Sequence, residues 1–183
     1  MKILNKALMV VTLLVVLAVG FLWYMGYFAS VKIEEKEDGG YFVVGKEVIG
    51  PYSEVGKHML EADNKLKGLG IICTKGFGIY YNDPNTTPKE KCRSLVGNIV
   101  EVKDLEKIKN AQLEGLKIDS IPKAKAVVAE FPIKNTLSYM LGPTKVYSKF
   151  SRYITEHNYK IALSFEIYDM PKEKIIFVMQ YSE

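Results

Sequence analysis

Histidine, cysteine and tryptophan are scarce in this chain of 183 residues, which holds two, two and one of them. A catalytic triad needs a base beside its nucleophile. His58 and His157 each fall in a predicted helix with no partner motif, and both read as surface or satisfied helix residues. The four positions 58, 73, 92 and 157 also lack the paired spacing of a zinc site, so no metal is expected. A phosphate-cradling loop is missing too, because Gly76-Phe77-Gly78 sits in a strand that no helix follows, and no cofactor is expected. Nor does charge of one sign dominate. The 25 basic residues face 21 acidic ones, and setting aside Lys2 and Lys6 leaves an excess of only +2. That is too small and too dispersed for a nucleic-acid footprint, and no nucleic-acid partner is expected.

Two cysteines do not make a disulfide scaffold. If a hairpin turns near Asn85 to Thr87, Cys92 pairs opposite Tyr80 while Cys73 lies seven residues further along. At roughly 3.3 Å per residue that separation is over 20 Å, far beyond a bridgeable Cα distance of about 7 Å. Two free thiols are the expectation.

What the chain does have is one long uncharged run. From Ala7 to Phe28 there are 22 consecutive residues without a charge. As a helix they reach about 33 Å, close to the thickness of a bilayer core. Phe21, Trp23, Tyr24, Tyr27 and Phe28 close the run like an interfacial aromatic belt. The expected division is a flank at 1–6, a transmembrane anchor at 7–28, a linker at 29–39 and one soluble domain at 40–183. The competing assignment is a cleaved signal peptide with Lys2 and Lys6 as its basic region. Against it, the apolar run is too long and ends in aromatics rather than small residues. Lys2 and Lys6 are balanced by Lys32 and Lys36, so the charge rule leaves the sidedness open. The sequon Asn85-Thr86-Thr87 matters only in a eukaryotic lumen.

The soluble part repeats itself. Phe77-Gly78-Ile79-Tyr80 returns 88 residues later as Phe165-Glu166-Ile167-Tyr168. Each copy is followed by a proline-containing turn and a second apolar strand, Cys92 to Val100 or Lys174 to Tyr181. Each is preceded by a helix, and that helix by a strand, Tyr41 to Val48 or Ala124 to Phe131. In the first half, Gly50-Pro51 starts the helix. Tyr52, Val55, Met59, Ala62 and Leu66 then form one stripe, and Gly68 and Gly70 stop it. In the second, a short helix over Leu137 to Leu141 is expected to break at Gly142-Pro143. A longer one follows, with Val146, Phe150, Tyr153 and Ile154 on one face. The charged connector Val102 to Leu116 has room for a helix of its own. The predicted fold is therefore α+β: a strand-helix-strand-strand unit duplicated over about 40–101 and 117–183. Both helices lie on one face of an antiparallel sheet, and an open concave surface lies on the other.

Strand side chains alternate between faces. With Phe165 and Ile167 packed under the helices, Glu166 and Tyr168 lie on the open face, and Gly78 and Tyr80 take the equivalent places in the first repeat. A lone carboxylate between tyrosine rings suits a cationic or hydrogen-bond-donating guest, the rings adding about 0.5–2 kcal/mol of cation–π attraction. The plainer alternative is a solvated glutamate in a terminal strand among ordinary strand tyrosines.

The doubled unit with its Glu166-Ile167-Tyr168 motif resembles the GyrI-like effector-binding domain of BmrR-type multidrug regulators. It also resembles the membrane-anchored testis-expressed reticulophagy receptor family. The stretches Tyr80-Tyr81-Asn82-Asp83-Pro84, Lys91-Cys92-Arg93, Val96-Gly97, Phe131-Pro132, Leu137-Ser138 and Tyr153-Ile154 carry that likeness. The resemblance implies a pocket glutamate at Glu166 that meets cationic ligands, and a domain facing the cytoplasm. The receptors' acidic tail and the regulators' DNA-binding headpiece have no counterpart in this sequence, so neither activity carries over. The expected function is a membrane-tethered binder of amphipathic or cationic small molecules, with Glu166, Tyr168, Tyr80 and Gly78 lining the site. Two alternatives stand beside it. One is a hydrolase of strained electrophiles, as some GyrI-like proteins are, with Glu166 as acid/base and Tyr80 and Tyr168 orienting the guest. The other is a membrane adaptor.

Overall fold

A computed structural model describes residues 2–182, with side chains for all of these except residues 2–4 and 7. The chain begins with α1 (Lys2–Tyr24) and continues through β1 (Ile33–Asp38), β2 (Tyr41–Ile49), α2 (Val55–Gly68), β3 (Lys75–Tyr80) and β4 (Arg93–Val100). After α3 (Leu105–Ala111) come β5 (Lys117–Ile121), β6 (Ala124–Pro132), α4 (Ser138–Glu156), β7 (Lys160–Asp169) and β8 (Lys174–Ser182). The eight strands form one antiparallel sheet in the order β1-β6-β8-β7-β3-β4-β2-β5. The two repeats meet at β3 and β7, where Gly78 pairs with Glu166. The α+β duplication expected from the sequence is present.

Short connections dictate the shape of this sheet. β1 and β2 are separated in sequence by only Gly39 and Gly40, yet they lie six places apart in the strand order. In a flat sheet six spacings come to about 29 Å. Two linking residues reach only about 10 Å. The sheet must curl until its ends approach. The β5–β6 link, Pro122-Lys123, makes the symmetric crossing, and the two crossings touch. Gly39 has φ +119, and a Cβ on it would lie 2.1 Å from the Pro122 carbonyl oxygen, so only glycine fits. The Gly40 N–H donates to the Ile121 carbonyl at 2.8 Å. The buried Gln180 amide ties both crossings together, donating to the Asp38 carbonyl at 2.9 Å and the Pro122 carbonyl at 2.7 Å.

Curling gives the sheet two cores. On the inner, concave side Val43, Phe77, Ile79, Leu95, Ile121, Ala126, Val128, Phe165, Ile167 and Val178 pack on one another with no helix among them. On the outer side α4 lays Val146, Phe150 and Ile154 against Phe131, Ile175 and Phe177. The α2 stripe puts Leu66 against Val44 and Val55 against Val48 and Val96.

Four expectations need correction. The concave face is not open; Phe165 and Ile167 fill it rather than packing under the helices. Residues 29–39 are not a linker throughout, since the charged strand β1 pairs with β6 along one edge. The helix does not break at Gly142-Pro143. α4 runs continuously, because a proline so near its start removes a single intrahelical bond, while Gly142 lets the helix approach the sheet. Finally, α1 ends at Tyr24, short of Phe28, where the chain turns at Gly26 with φ +81. Among the described residues, no helix is long and apolar enough to cross a membrane. Cys73 and Cys92 are both free thiols.

The helix–sheet contact at Gly142 is testable. A Cβ there lies 3.1 Å from Phe131 and 3.2 Å from Phe177. Gly142→Val should therefore lose about 1–3 kcal/mol in urea unfolding through overpacking. Gly56 in α2 has open space around it, and Gly56→Ala should gain roughly 0.5–1 kcal/mol in the same measurement.

Candidate functional site

β7 points alternate side chains through the sheet: Phe165 and Ile167 into the inner core, Glu166 and Tyr168 out toward the helices. Glu166 is only 4% exposed. It lies between the paired strands β3 and β7 on one side and α4 on the other. The Tyr147 hydroxyl of α4 donates to its Oε1 at 3.0 Å, and the Tyr168 hydroxyl donates to its Oε2 at 2.7 Å. The hydroxyls of Tyr80 and Tyr168 are 2.9 Å apart. Because the single Tyr168 proton is spent on Glu166, Tyr80 donates to Tyr168. A relay of tyrosine hydroxyls thus ends on one carboxylate.

The residues singled out from the sequence meet here: Glu166, Tyr168, Tyr80 and Gly78 are one cluster. Their side of the sheet differs from the expected one, being the helix-covered face. The hole expected at Gly78 is used by the protein itself, since a Cβ at Gly78 would lie 2.8 Å from the Tyr80 hydroxyl oxygen. The missing side chain lets Tyr80 fold over β3 and reach Tyr168. Further rings complete the wall. Tyr52, just before α2, packs edge-on to Tyr80 at 4.8 Å between centroids, and Tyr139 in the first turn of α4 lies 5.9 Å from Tyr168. Tyr147 sits edge-on to Phe177 at 5.6 Å.

Tyr147 and Tyr139 were not among the expected site residues. The available signal was position: Tyr147 adjoins Val146 and lies three residues before Phe150, at the margin of the buried stripe. An aromatic with a polar tip at such a margin buries its ring and aims its hydroxyl at a neighbour.

Burial pushes the Glu166 carboxyl up to about 7, against the pull of hydrogen bonds from Tyr168 and Tyr147, which favour the ionised form. No cation among the described residues offsets the cost of its charge. Tyr80, Tyr147 and Tyr168 are raised above the ordinary phenol value by burial and then by the neighbouring carboxylate, so they remain donors at neutral pH. The site is a carboxyl poised between its two states inside a polarised aromatic shell. It can receive a cation or a hydrogen-bond donor, and it can hold or release a proton. The shell is closed in this conformation. A cavity of about 220 Å³ lies elsewhere, lined by Val44, Ile108, Gln112, Leu113, Leu116 and Ile118 among others, and touches none of these residues. Among the described residues, no cluster suits a metal ion.

Residues 31–176 match the family described as GyrI-like small molecule binding domain. The human Testis-expressed protein 264 (Homo sapiens) is 30% identical over 163 residues, covering 85% of this chain and 50% of that protein. Its mouse homolog (Mus musculus) is 32% identical over 129 residues, covering 68% of this chain and 40% of that protein. The chain therefore spans half or less of the length of these relatives. Among solved structures, the EcmrR C-terminal domain superposes with a TM-score of 0.61 at 12% identity, covering 84% of this chain and 98% of that one. A likeness at that identity concerns the fold.

The raised Glu166 carboxyl makes stability depend on pH with a definite sign. The folded chain holds this proton up to about pH 7, whereas an unfolded carboxyl releases it near 4.5. The contribution is complete below pH 4.5 and is lost as pH rises through 7, in total about 3 kcal/mol. Urea unfolding at pH 5 and pH 8 should show wild type losing about 2–3 kcal/mol more than Glu166→Gln over that interval. Identical pH slopes would show that Glu166 is an ordinary solvated acid.

Proposed function

This chain belongs to the GyrI-like small molecule binding domain family, and from that premise we propose that it captures lipophilic or amphipathic cations at Glu166 while tethered to a membrane through α1. The observation that carries the ligand class is a buried carboxylate with tyrosines around it and, among the described residues, no cation beside it. A cationic guest would supply the missing positive charge. The charge-assisted contact is worth about 1.5–3 kcal/mol, and the rings of Tyr80, Tyr147 and Tyr168 add cation–π attraction of roughly 0.5–2 kcal/mol. Binding requires the Tyr80–Tyr168 hydroxyl pair to part, so that both rings become the walls of the opened site.

The tether rests on α1. From Leu8 to Val19 its apolar side chains are about half to two-thirds exposed, and the described remainder of the chain covers none of them deeply. Insertion into lipid would remove that surface from water. A second reading, hydrolysis of a strained electrophile, is favoured by one feature: a carboxyl that changes state near pH 7 can both give and take a proton. Substrate turnover that disappears in Glu166→Gln would identify it.

Calorimetric titration with tetraphenylphosphonium tests the main reading. Glu166→Gln should weaken binding about 10- to 30-fold, through loss of the carboxylate–phosphonium attraction, since this cation has no hydrogen to donate. Protons compete for the same oxygens, so wild-type affinity should fall about tenfold from pH 8 to pH 6. Equal affinity in both proteins, with no dependence on pH, would rule out Glu166 as the counter-ion. For the tether, the full chain should float with phosphatidylcholine vesicles in a density gradient, and the double substitution Leu14→Glu, Leu17→Glu should leave it at the bottom. Flotation of both proteins alike would remove α1 from that role.

A further inference from the structure

We propose that the Glu166 site is loaded from the bilayer rather than from the aqueous phase, through a mouth at the first turn of α4 that lies against the lipid surface. The inference deepens the cation-binding reading and rests on it: the ligands would be amphipathic cations already partitioned among lipid headgroups.

The first observation is a clamp. The segment that leaves α1 does not hang free; Asn135 just before α4, and Lys145 and Lys149 within it, seize its backbone. The Asn135 amide donates to the Tyr24 carbonyl at 2.7 Å. The Lys145 ammonium donates to the carbonyls of Tyr27 and Ala29, the latter at 2.8 Å. The Lys149 ammonium donates to the Val31 carbonyl at 2.8 Å. Two of the aromatics at the end of α1 are engaged by cations as well, with Lys134 4.9 Å from the Trp23 ring and Lys145 5.4 Å from that of Tyr27. A tether held at the carbonyls of Tyr24, Tyr27, Ala29 and Val31 is laid along α4 from its N-terminal end, and the foot of α1, held by Asn135, stands at that end.

The second observation is where the site opens. Asn135, which grips Tyr24, also accepts the Leu137 N–H at 3.0 Å and so sets the start of α4. Tyr139 follows four residues later, in the first turn of α4. Its ring meets Tyr168, and Tyr168 bonds Glu166. The chain thus leads from the foot of α1, through Asn135 and the first turn of α4, to Tyr139 and the buried carboxylate. The exposed residues along that path include Trp23, Tyr24, Phe28, Tyr139 and Met140, the last 73% exposed, beside Lys134 and Thr136. Isolated exposed apolar residues are ordinary on a protein surface. These adjoin a helix whose own apolar side chains are uncovered, and Lys134 and Lys145 stand among them, as a surface seated in anionic headgroups requires. The opposite end of α4 offers Ile161 at the start of β7 as a remote exposed reference, at 56%.

The test uses the full chain carrying Cys73→Ser and Cys92→Ser, with Met140→Cys or Ile161→Cys labelled by bimane. Each protein is reconstituted into phosphatidylcholine vesicles with a minor share of phosphatidylserine and headgroup-level nitroxide lipid. The label at Met140 should be quenched several-fold more than the label at Ile161. Equal quenching overturns the proposal. Should a labelled variant fail to fold, Trp23 of the unlabelled chain, its one tryptophan, serves instead. Strong quenching by the same lipids supports the mouth, and none overturns it. Tetraphenylphosphonium titration in detergent separates this proposal from the reading beneath it. Binding there with equal quenching sinks the membrane mouth alone, whereas no binding at all sinks the cation site and the mouth with it.

Discussion

Two crossings of the chain, Gly39-Gly40 and Pro122-Lys123, decide which side of this sheet is inside. Each joins strands that would be far apart in a flat sheet, so the sheet curls and its concave side closes on itself as an apolar core. The convex side then receives α2 and α4. That sorting leaves Glu166 and Tyr168 in the only environment that makes them interesting: under α4, out of water, beside the strand pair where the two repeats meet. Were the crossings longer, the sheet could flatten and the same residues would stand in solvent.

The site is an asymmetric feature of a symmetric frame. Duplication places Gly78 and Glu166 opposite each other about the pseudo-twofold axis, and the two halves use those places differently. One half contributes the carboxylate. The other omits a side chain, and the gap is filled by Tyr80, whose hydroxyl completes the relay to Tyr168 and Glu166. The carboxyl pays for burial with a raised affinity for protons, and tyrosine hydroxyls soften that cost without removing it. A cation would remove it more fully, which is the physical reason for the proposed ligand class.

Much of the frame is legible in the sequence. The repeated Phe-x-Ile-Tyr pattern locates β3 and β7, glycine and proline bound α2, and the four residues singled out lie together. The faces are not legible. A period of two divides a strand into two sides but does not label them, and the assumption that the apolar pair Phe165 and Ile167 must meet the helices fails because the curled sheet supplies a second apolar interior. β1 escapes notice because its sequence, Ile-Glu-Glu-Lys-Glu-Asp, is that of an exposed edge whose value lies in backbone pairing. Gly142-Pro143 reads as a break, yet the glycine there serves close packing and the proline falls where a helix loses little. Tyr147 escapes because its place at the margin of the α4 stripe marks a ring to be buried but not the distant carboxylate that its hydroxyl meets.

The state of one carboxyl underlies the account. Carbon-13 NMR of the Glu166 side-chain carboxyl, followed through a pH titration of the folded full chain, measures it directly. A midpoint near 7 is expected from burial among tyrosines. A midpoint near 4.5, the value of a glutamate in water, would contradict the buried-acid site and the cation chemistry built on it.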